Sequence, residues 1–240
     1  MEYRIGRVDV KSEDLDIVLV NGFHALRARV EEFAAAVYGR VYGADLRTFS
    51  RELLVLMSRQ KGILGCIGIN TAESGGFFLE RYLDDRVETE LSKRLDMPVK
   101  REEVVEIGTL ALSHRGFCRP MMAGLAGFLL ARDKRFFVFT AVKTLRNTLT
   151  HLNVPFETIA EAKAENSGNK DEWGSYYEAM PEVIAVDMKK CLPSMERLIA
   201  TAGSLPKGVS GATPRMVSLM NKLFLDGLII ENAYGRAEGF

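Results

Sequence analysis

The chain has 240 residues, 47% of them hydrophobic and 27% charged, which is the composition of an ordinary globular protein and excludes a disordered or fibrous one. Lys plus Arg and Asp plus Glu both number 32, so no basic excess exists to release counterions from nucleic acid or to dock on an anionic membrane. The longest nearly uninterrupted apolar stretch, Met121 to Ala131, falls short of the ~20 residues of a spanning helix, the N-terminus lacks an apolar signal core, and three scattered cysteines suggest neither a disulfide framework nor a zinc knuckle, so a cytoplasmic protein is expected.

Glu2 to Val10 alternates like a strand, after which Ser12-Glu13-Asp14 can cap a helix bearing Leu26, Val30, Phe33 and Val37 and running to about Tyr42. Leu53 to Met57 and Ile63 to Ile69 flank a polar stretch and read as an antiparallel hairpin. Gly75-Gly76 then breaks the chain before Phe77 to Leu83 and a charged helix, Arg86 to Leu95, which Pro98 terminates. Glu103 to Leu112 is a buried strand, followed by a polar loop, a helix carrying Met121, Leu125, Phe128 and Leu129, and a second buried strand, Arg135 to Val142. Strand, helix, strand predicts a right-handed parallel crossover with a crevice at the carboxyl ends of the strands. A helix over Thr144 to Leu152, a short strand near Phe156 to Ile159 and a polar surface loop, Glu161 to Asp171, come next. Val183 to Met188 is the last strand and Leu192 to Ala200 a helix. Beyond it, Gly203, Pro206, Gly208 and Gly211 mark a linker, and Thr213-Pro214 caps a terminal helix striped with Met216, Leu219, Met220 and Leu223. The predicted division is a main domain over 1–200 and a linker with a C-terminal amphipathic helix over 201–240. That helix can cover the domain's own apolar surface or join two copies into a homodimer.

Phe78-Leu79-Glu80-Arg81-Tyr82-Leu83, Val105-Glu106-Ile107-Gly108-Thr109-Leu110-Ala111, Phe137-Val138-Phe139-Thr140-Ala141 with Leu145-Arg146-Asn147, and Trp173-Gly174-Ser175-Tyr176-Tyr177 stand in that order. Over Ala25 to Asp187 the chain resembles the thermostable hemolysin family, bacterial proteins related in pattern to the GNAT acyltransferases and the acyl-homoserine-lactone autoinducer synthases. The resemblance implies an α/β fold: a GNAT-like mixed sheet with splayed parallel central strands flanked by helices. It also implies a thioester donor lying between those strands, against Thr109, Leu110, Ala111, Leu112 and Thr140. Phosphates would be received at the start of the intervening helix by Arg115, Gly116 and Arg119, since free backbone N–H groups and the helix dipole attract them. Cys118 and Arg119-Pro120 occupy the glycine positions of the usual GNAT loop, which leaves room for an acyl carrier protein beside coenzyme A as the donor. No resident cofactor is implied; acyl-CoA or acyl carrier protein is a substrate, and the acceptor is a small amine.

Glu106 is the candidate for chemistry, because an acid within an apolar strand is costly to bury and acquires the raised pKa of a general base. Its position resembles the glutamate of the autoinducer synthases' Glu-Leu-Ser-Arg strand, whose arginine is replaced here by Thr109. The other reading pairs Glu106 with an arginine in a structural ion pair. Arg146 and Asn147 can hold a carboxylate or a carrier phosphate, or form a solvated face. Trp173, Tyr176 and Tyr177 can line a pocket, Tyr177 offering a phenol to a leaving thiolate, or anchor the loop. Cys118 as a nucleophile would need an Asp or Asn to orient His114, and none is evident in the sequence. The Glu80-Arg81 pair is expected to be structural.

The reading these residues support is an N-acyltransferase moving a fatty acyl group from a thioester to an amine. Two rivals come from other classes. One is a membrane-active haemolysin without catalysis, against which the zero net charge and the missing amphipathic hairpin count. The other is an acyl-thioester or lipid-binding module that kept the crevice alone.

Overall fold

The computed structural model describes residues 3–10 and 13–191, apart from residues 115–116, 118–120, 122–123, 126–127, 130–131, 133, 152 and 169. The strands are β1 Tyr3–Val10, β2 Glu13–Val20, β3 Glu52–Ser58, β4 Gly62–Thr71, β5 Val104–Leu112, β6 Phe136–Ala141, β7 Glu157–Glu161 and β8 Glu182–Asp187. They form one sheet in the order β1-β2-β3-β4-β5-β6-β8-β7. The helices are α1 Arg27–Tyr42, α2 Val87–Leu95 and α3 Lys143–His151. Met121, Gly124, Leu125, Phe128 and Leu129 are helical as well, between β5 and β6. The strand after α3 starts one residue later than expected, and α2 ends at Leu95, where Asp96 with a left-handed φ of 50° caps it before Pro98 is reached.

One expectation fails at the start. Glu13 and Asp14 do not cap a helix; they open β2, whose hairpin with β1 closes at Val10 and Glu13. Leu15, Ile17 and Leu19 alternate with Val18 and Val20 onto opposite faces of the sheet, and this period of two outweighs the polar triplet. The helix begins only at Arg27, which donates to the carbonyls of Ser50 and Arg51 and pairs with Glu31 at 2.6 Å. The helices expected over Leu192 to Ala200 and within 201–240, with the dimer contact expected of the latter, lie outside the described residues.

Two layers of apolar side chains sandwich the sheet. Leu54, Leu56, Val105, Phe137 and Phe139 face one cluster, together with the helical Leu125 and Leu129 and with Leu149 of α3. The alternate residues face the other side: Leu53 and Val55 meet Val30, Ala34 and Val37 of α1, while Val104, Phe136 and Val138 meet Leu79, Val87 and Leu91.

The parallel pair expected from the sequence is β5 and β6, and it is short. Val104, Val105 and Glu106 pair with Phe136, Phe137 and Val138, and pairing stops there. Beyond it β5 turns with β4 and β6 with β8, both antiparallel. On β4 a single residue, Gly68, separates Ile67 from Ile69, whereas Gly108 and Thr109 separate their partners Ile107 and Leu110 on β5. That extra residue is a β-bulge, which bends and twists the strand that carries it. It lies just past Glu106, where β5 leaves β6. The α/β mixed sheet with splayed parallel central strands is therefore present as expected.

Candidate active site

The gap between β5 and β6 opens into a cavity of about 810 Å³. Its lining draws on both apolar layers, so it passes through the sheet rather than resting on one face. On the side of the helices after β5 and β6 it is mostly apolar, with Leu112, Leu125, Leu129, Phe137, Phe139 and Leu149, and carries Thr144 and Asn147 of α3. On the other side it is aromatic.

Glu106 stands at the junction. It is 3% exposed, and its carboxylate is bound by three neutral donors. Asn70, its cross-strand partner on β4, donates its side-chain amide to Oε2 at 3.0 Å, and the backbone N–H of Phe78 donates to the same oxygen at 2.7 Å. The Leu79 N–H donates to Oε1 at 2.9 Å. Among the described residues no arginine pairs with it, so the structural ion pair considered for Glu106 is replaced by a cradle of amides. Burial pushes its carboxyl above the ordinary carboxylate range, against the pull of those three donors, and the nearby Glu80 adds to the rise.

The two backbone donors belong to the single-turn helix Phe78–Tyr82, which a separate ion-pair network fixes. Glu80 meets Arg101 at 2.5 Å and 2.9 Å, Arg101 meets Glu88 of α2 at 2.7 Å, and Glu80 accepts from the N–H of Val87. Burial alone would raise the Glu80 carboxyl, yet Arg101 and the backbone donors hold it below its usual value. The partner of Glu80 is thus Arg101 and not Arg81. Arg81 donates to the carbonyls of Phe78 and Ser167 and lies 3.7 Å over the Phe78 ring. It ties this turn to the 161–171 segment, which is built of short helical turns with Ser167 buried and is not a plain surface loop.

The aromatic side comes from three elements. Tyr38 and Tyr42, one turn apart on α1, have ring centroids 5.6 Å apart, and Tyr42 stands edge-on to Tyr176 at 5.2 Å. Trp173 joins Tyr176 at 5.5 Å, Tyr177 at 6.1 Å and Phe78 at 5.7 Å. The Tyr177 hydroxyl meets that of Tyr82 at 2.5 Å. Tyr176 donates to the Thr140 hydroxyl at 3.1 Å, linking the cluster to β6 at its parting from β5. Burial raises the phenols of Tyr38, Tyr82, Tyr176 and Tyr177, keeping all four protonated at neutral pH.

Gly174 explains why this segment reads Trp-Gly-Ser-Tyr-Tyr. Its φ is +51°, and a β-carbon there would collide with the carbonyl oxygen of Tyr42. Only glycine permits that approach, which lets the Ser175 N–H reach the same carbonyl at 2.8 Å and docks the aromatic side on α1.

Of the residues singled out from sequence, Glu106, Thr109, Leu110, Leu112, Thr140, Asn147, Trp173, Tyr176 and Tyr177 line one cavity. Ala111 faces α1 instead, buried in that cluster. Arg146 is not brought to the cavity: it donates to the carbonyls of Ala141 and Met180 and pairs with Glu182 at 2.9 Å. Arg115, Gly116 and Arg119 lie outside the described residues. Asn70, Ser50, Tyr38, Tyr42 and Tyr82 line the cavity without having been singled out for it. The Tyr38 and Tyr42 pair at helical spacing was the signal available for two of them.

The thermostable hemolysin family model matches residues 20–192. No curated protein matches the chain. Among solved structures the chain is similar to the AHL synthase LasI, at 11% identity over 82% of this chain and 100% of that one, with a TM-score of 0.52. BjaI, a CoA-dependent acyl-homoserine lactone synthase solved with SAM and isopentyl-CoA, matches at 10% identity over 85% and 97%, with a TM-score of 0.52. FeeM, an N-acyl amino acid synthase from uncultured soil microbes, matches at 13% identity over 80% and 98%, with a TM-score of 0.51. At such identities the likeness is one of fold. No helix among the described residues is long and apolar enough to cross a membrane.

Proposed function

The chain belongs to the thermostable hemolysin family, and from that premise we propose that it is an N-acyltransferase, moving a fatty acyl group from a thioester donor to a primary amine. The observation that carries this reading is the cavity through the β5–β6 gap, with the Glu106 carboxylate at its waist and an apolar chamber on one side. The apolar chamber suits an acyl chain, and the bulge at Gly108–Thr109, which lines the cavity, frees strand backbone from the regular ladder to polarise a thioester carbonyl. The fold shared with acyl-homoserine lactone and N-acyl amino acid synthases agrees with this use of the gap.

The chemistry balances within the residues present. An entering ammonium gives one proton to Glu106, whose burial raises its pKa and so makes it a better proton acceptor. The freed nitrogen lone pair attacks the thioester carbon, forming the C–N bond, and backbone N–H groups of the bulge stabilise the oxyanion. Collapse breaks the C–S bond. Tyr177, hydrogen-bonded to Tyr82, protonates the departing thiolate and is itself reprotonated by the surplus proton on nitrogen. The products are an amide, a thiol and protonated Glu106, which returns its proton to water. Coenzyme A and an acyl carrier protein are both accommodated as donors in this scheme, since the chemistry involves only the thioester.

Incubating the full chain with acyl-CoA or acyl carrier protein and a panel of amines, followed by mass spectrometry, tests the reading. An N-acyl amide that accumulates with equimolar thiol is the expected result. Tight donor binding with no amide would instead favour a binding module, and leakage of liposomes without any thioester would favour a membrane-active protein.

A further inference from the structure

Among the described residues that line the cavity, Glu106 is the one ionisable acid, and no lysine, arginine or histidine accompanies it. Of the four arginines adjacent in sequence to lining residues, Arg47 pairs with Asp45, Arg51 is exposed, Arg81 donates to the Phe78 and Ser167 carbonyls, and Arg146 engages Glu182 and two carbonyls. The aromatic side adds no charge, because its phenols remain protonated. It does add ring faces, which carry negative potential and attract cations. Asn70, the amide lining this side, already donates to Glu106.

Resting on the N-acyltransferase reading, we infer that the acceptor is an arylalkyl amine that enters as its ammonium ion and carries no carboxylate or phosphate. The ammonium pairs with Glu106, the one site that both attracts it and takes its proton. Its aryl group stacks among Tyr42, Trp173, Tyr176 and Phe78, whose centroids lie 5.2–5.7 Å from one another along the cluster, the spacing at which a further ring meets edges and faces. An amino acid with the same side chain would bring a second carboxylate beside Glu106, with no cation among the described lining residues to meet it. Burial of an unpaired charge next to one of like sign is strongly unfavourable.

The chain holds one tryptophan, and Trp173 lines the aromatic side, so its fluorescence reports binding without any reaction. The test titrates the unmodified full chain with 2-phenylethylamine, phenylalanine and 2-phenylethanol. These share a phenylethyl frame and differ in the polar groups it carries: an ammonium, an ammonium with a carboxylate, and a neutral hydroxyl. The amine is expected to bind roughly tenfold or more tightly than either of the others, and Glu106→Gln is expected to bring the amine down to the level of the alcohol. Phenylalanine binding as tightly as the amine, or the alcohol doing so, overturns the inference, and this comparison needs no variant to fold. The same ligands in the acyl-transfer assay separate the two claims. Amide formed from phenylalanine as fast as from the amine overturns the acceptor class and leaves the transferase standing. The expected ranking of ligands with no amide from any of them supports the ammonium site and overturns the transferase.

Discussion

Glu106→Gln separates chemistry from architecture at the residue on which both depend. Glutamine keeps the shape and one acceptor oxygen. Turned toward Asn70 and the Phe78 N–H, it preserves two of the three hydrogen bonds and sets its amide against the Leu79 N–H. A buried donor left unmade costs about 1–3 kcal/mol, offset in part because a neutral amide is cheaper to bury than a carboxylate. With ~2–4 °C of Tm per kcal/mol at this chain length, the midpoint should fall by no more than about 10 °C. Loss of the proton acceptor should lower kcat by ~10²–10⁴, about 2.7–5.4 kcal/mol of barrier. Single-turnover amide formation and thermal melting on one sample measure both, and repeating them across pH sharpens the test. In the wild type the rate should rise with pH as Glu106 ionises, with a midpoint above the roughly 4.3 of a free glutamate, because burial raises this carboxyl. That limb should vanish in the variant. The stability term runs the other way. A folded pKa above the unfolded one means that the fold favours the protonated form, so the contribution of Glu106 is fully present below about 4.3 and is lost as pH rises through its raised pKa. A large fall in midpoint with the remaining folded fraction fully active would assign Glu106 to structure alone and refute the base.

Tyr177→Phe should lower kcat by ~10²-fold while donor and acceptor binding, read by Trp173 fluorescence, stay within about twofold; an unchanged kcat would remove the phenol from the reaction. Gly68→Ala places a β-carbon 2.9 Å from Ser50 Cβ and 3.1 Å from the Thr109 nitrogen, so the bulge must shift, at a cost of about 1–3 kcal/mol, and a variant with wild-type kcat and melting would show that the bulge plays no part. Gly174→Ala should detach the aromatic side from α1 and weaken 2-phenylethylamine binding more than acyl-donor binding, which two parallel titrations would compare. Arg146→Met leaves the carbonyls of Ala141 and Met180 without this donor and breaks the pair with Glu182; Tm should fall by roughly 2–10 °C with KM for both substrates unchanged, and a raised donor KM would return Arg146 to the site.

The centre of the molecule was legible because its signals were local. Val104 to Leu112 and Phe136 to Ala141 are apolar runs with a helical stripe between them, and that order implies a parallel neighbour. Glu106 stood out as an acid in such a run. What surrounds it was not legible, since Asn70 lies on β4 and the Phe78 and Leu79 N–H groups on a single turn. Nothing in their side chains announces that their backbone will turn toward a carboxylate. The bulge was hidden for a similar reason: it is a difference in count between two strands, visible only once Ile67 and Ile69 are set against Leu110 and Ile107. Arg146 misled because helical position places a side chain on a face and does not say which carbonyls wait there. The β1–β2 hairpin was missed because Ser12-Glu13-Asp14 looked like a cap, although the alternation of Leu15, Ile17 and Leu19 carried more burial than the cap could offset.

The acyl site is best examined in a crystal structure of the full chain with an unreactive acyl-CoA analogue, a ketone in which a methylene separates sulfur from the carbonyl carbon. The ketone oxygen is expected within hydrogen-bond distance of a backbone N–H at Gly108–Thr109. The alkyl tail is expected against Phe137, Phe139 and Leu149, and the sulfur on the side of Tyr177. An analogue bound outside the β5–β6 gap, or one whose tail lies among Tyr42, Trp173 and Tyr176, would contradict this placement.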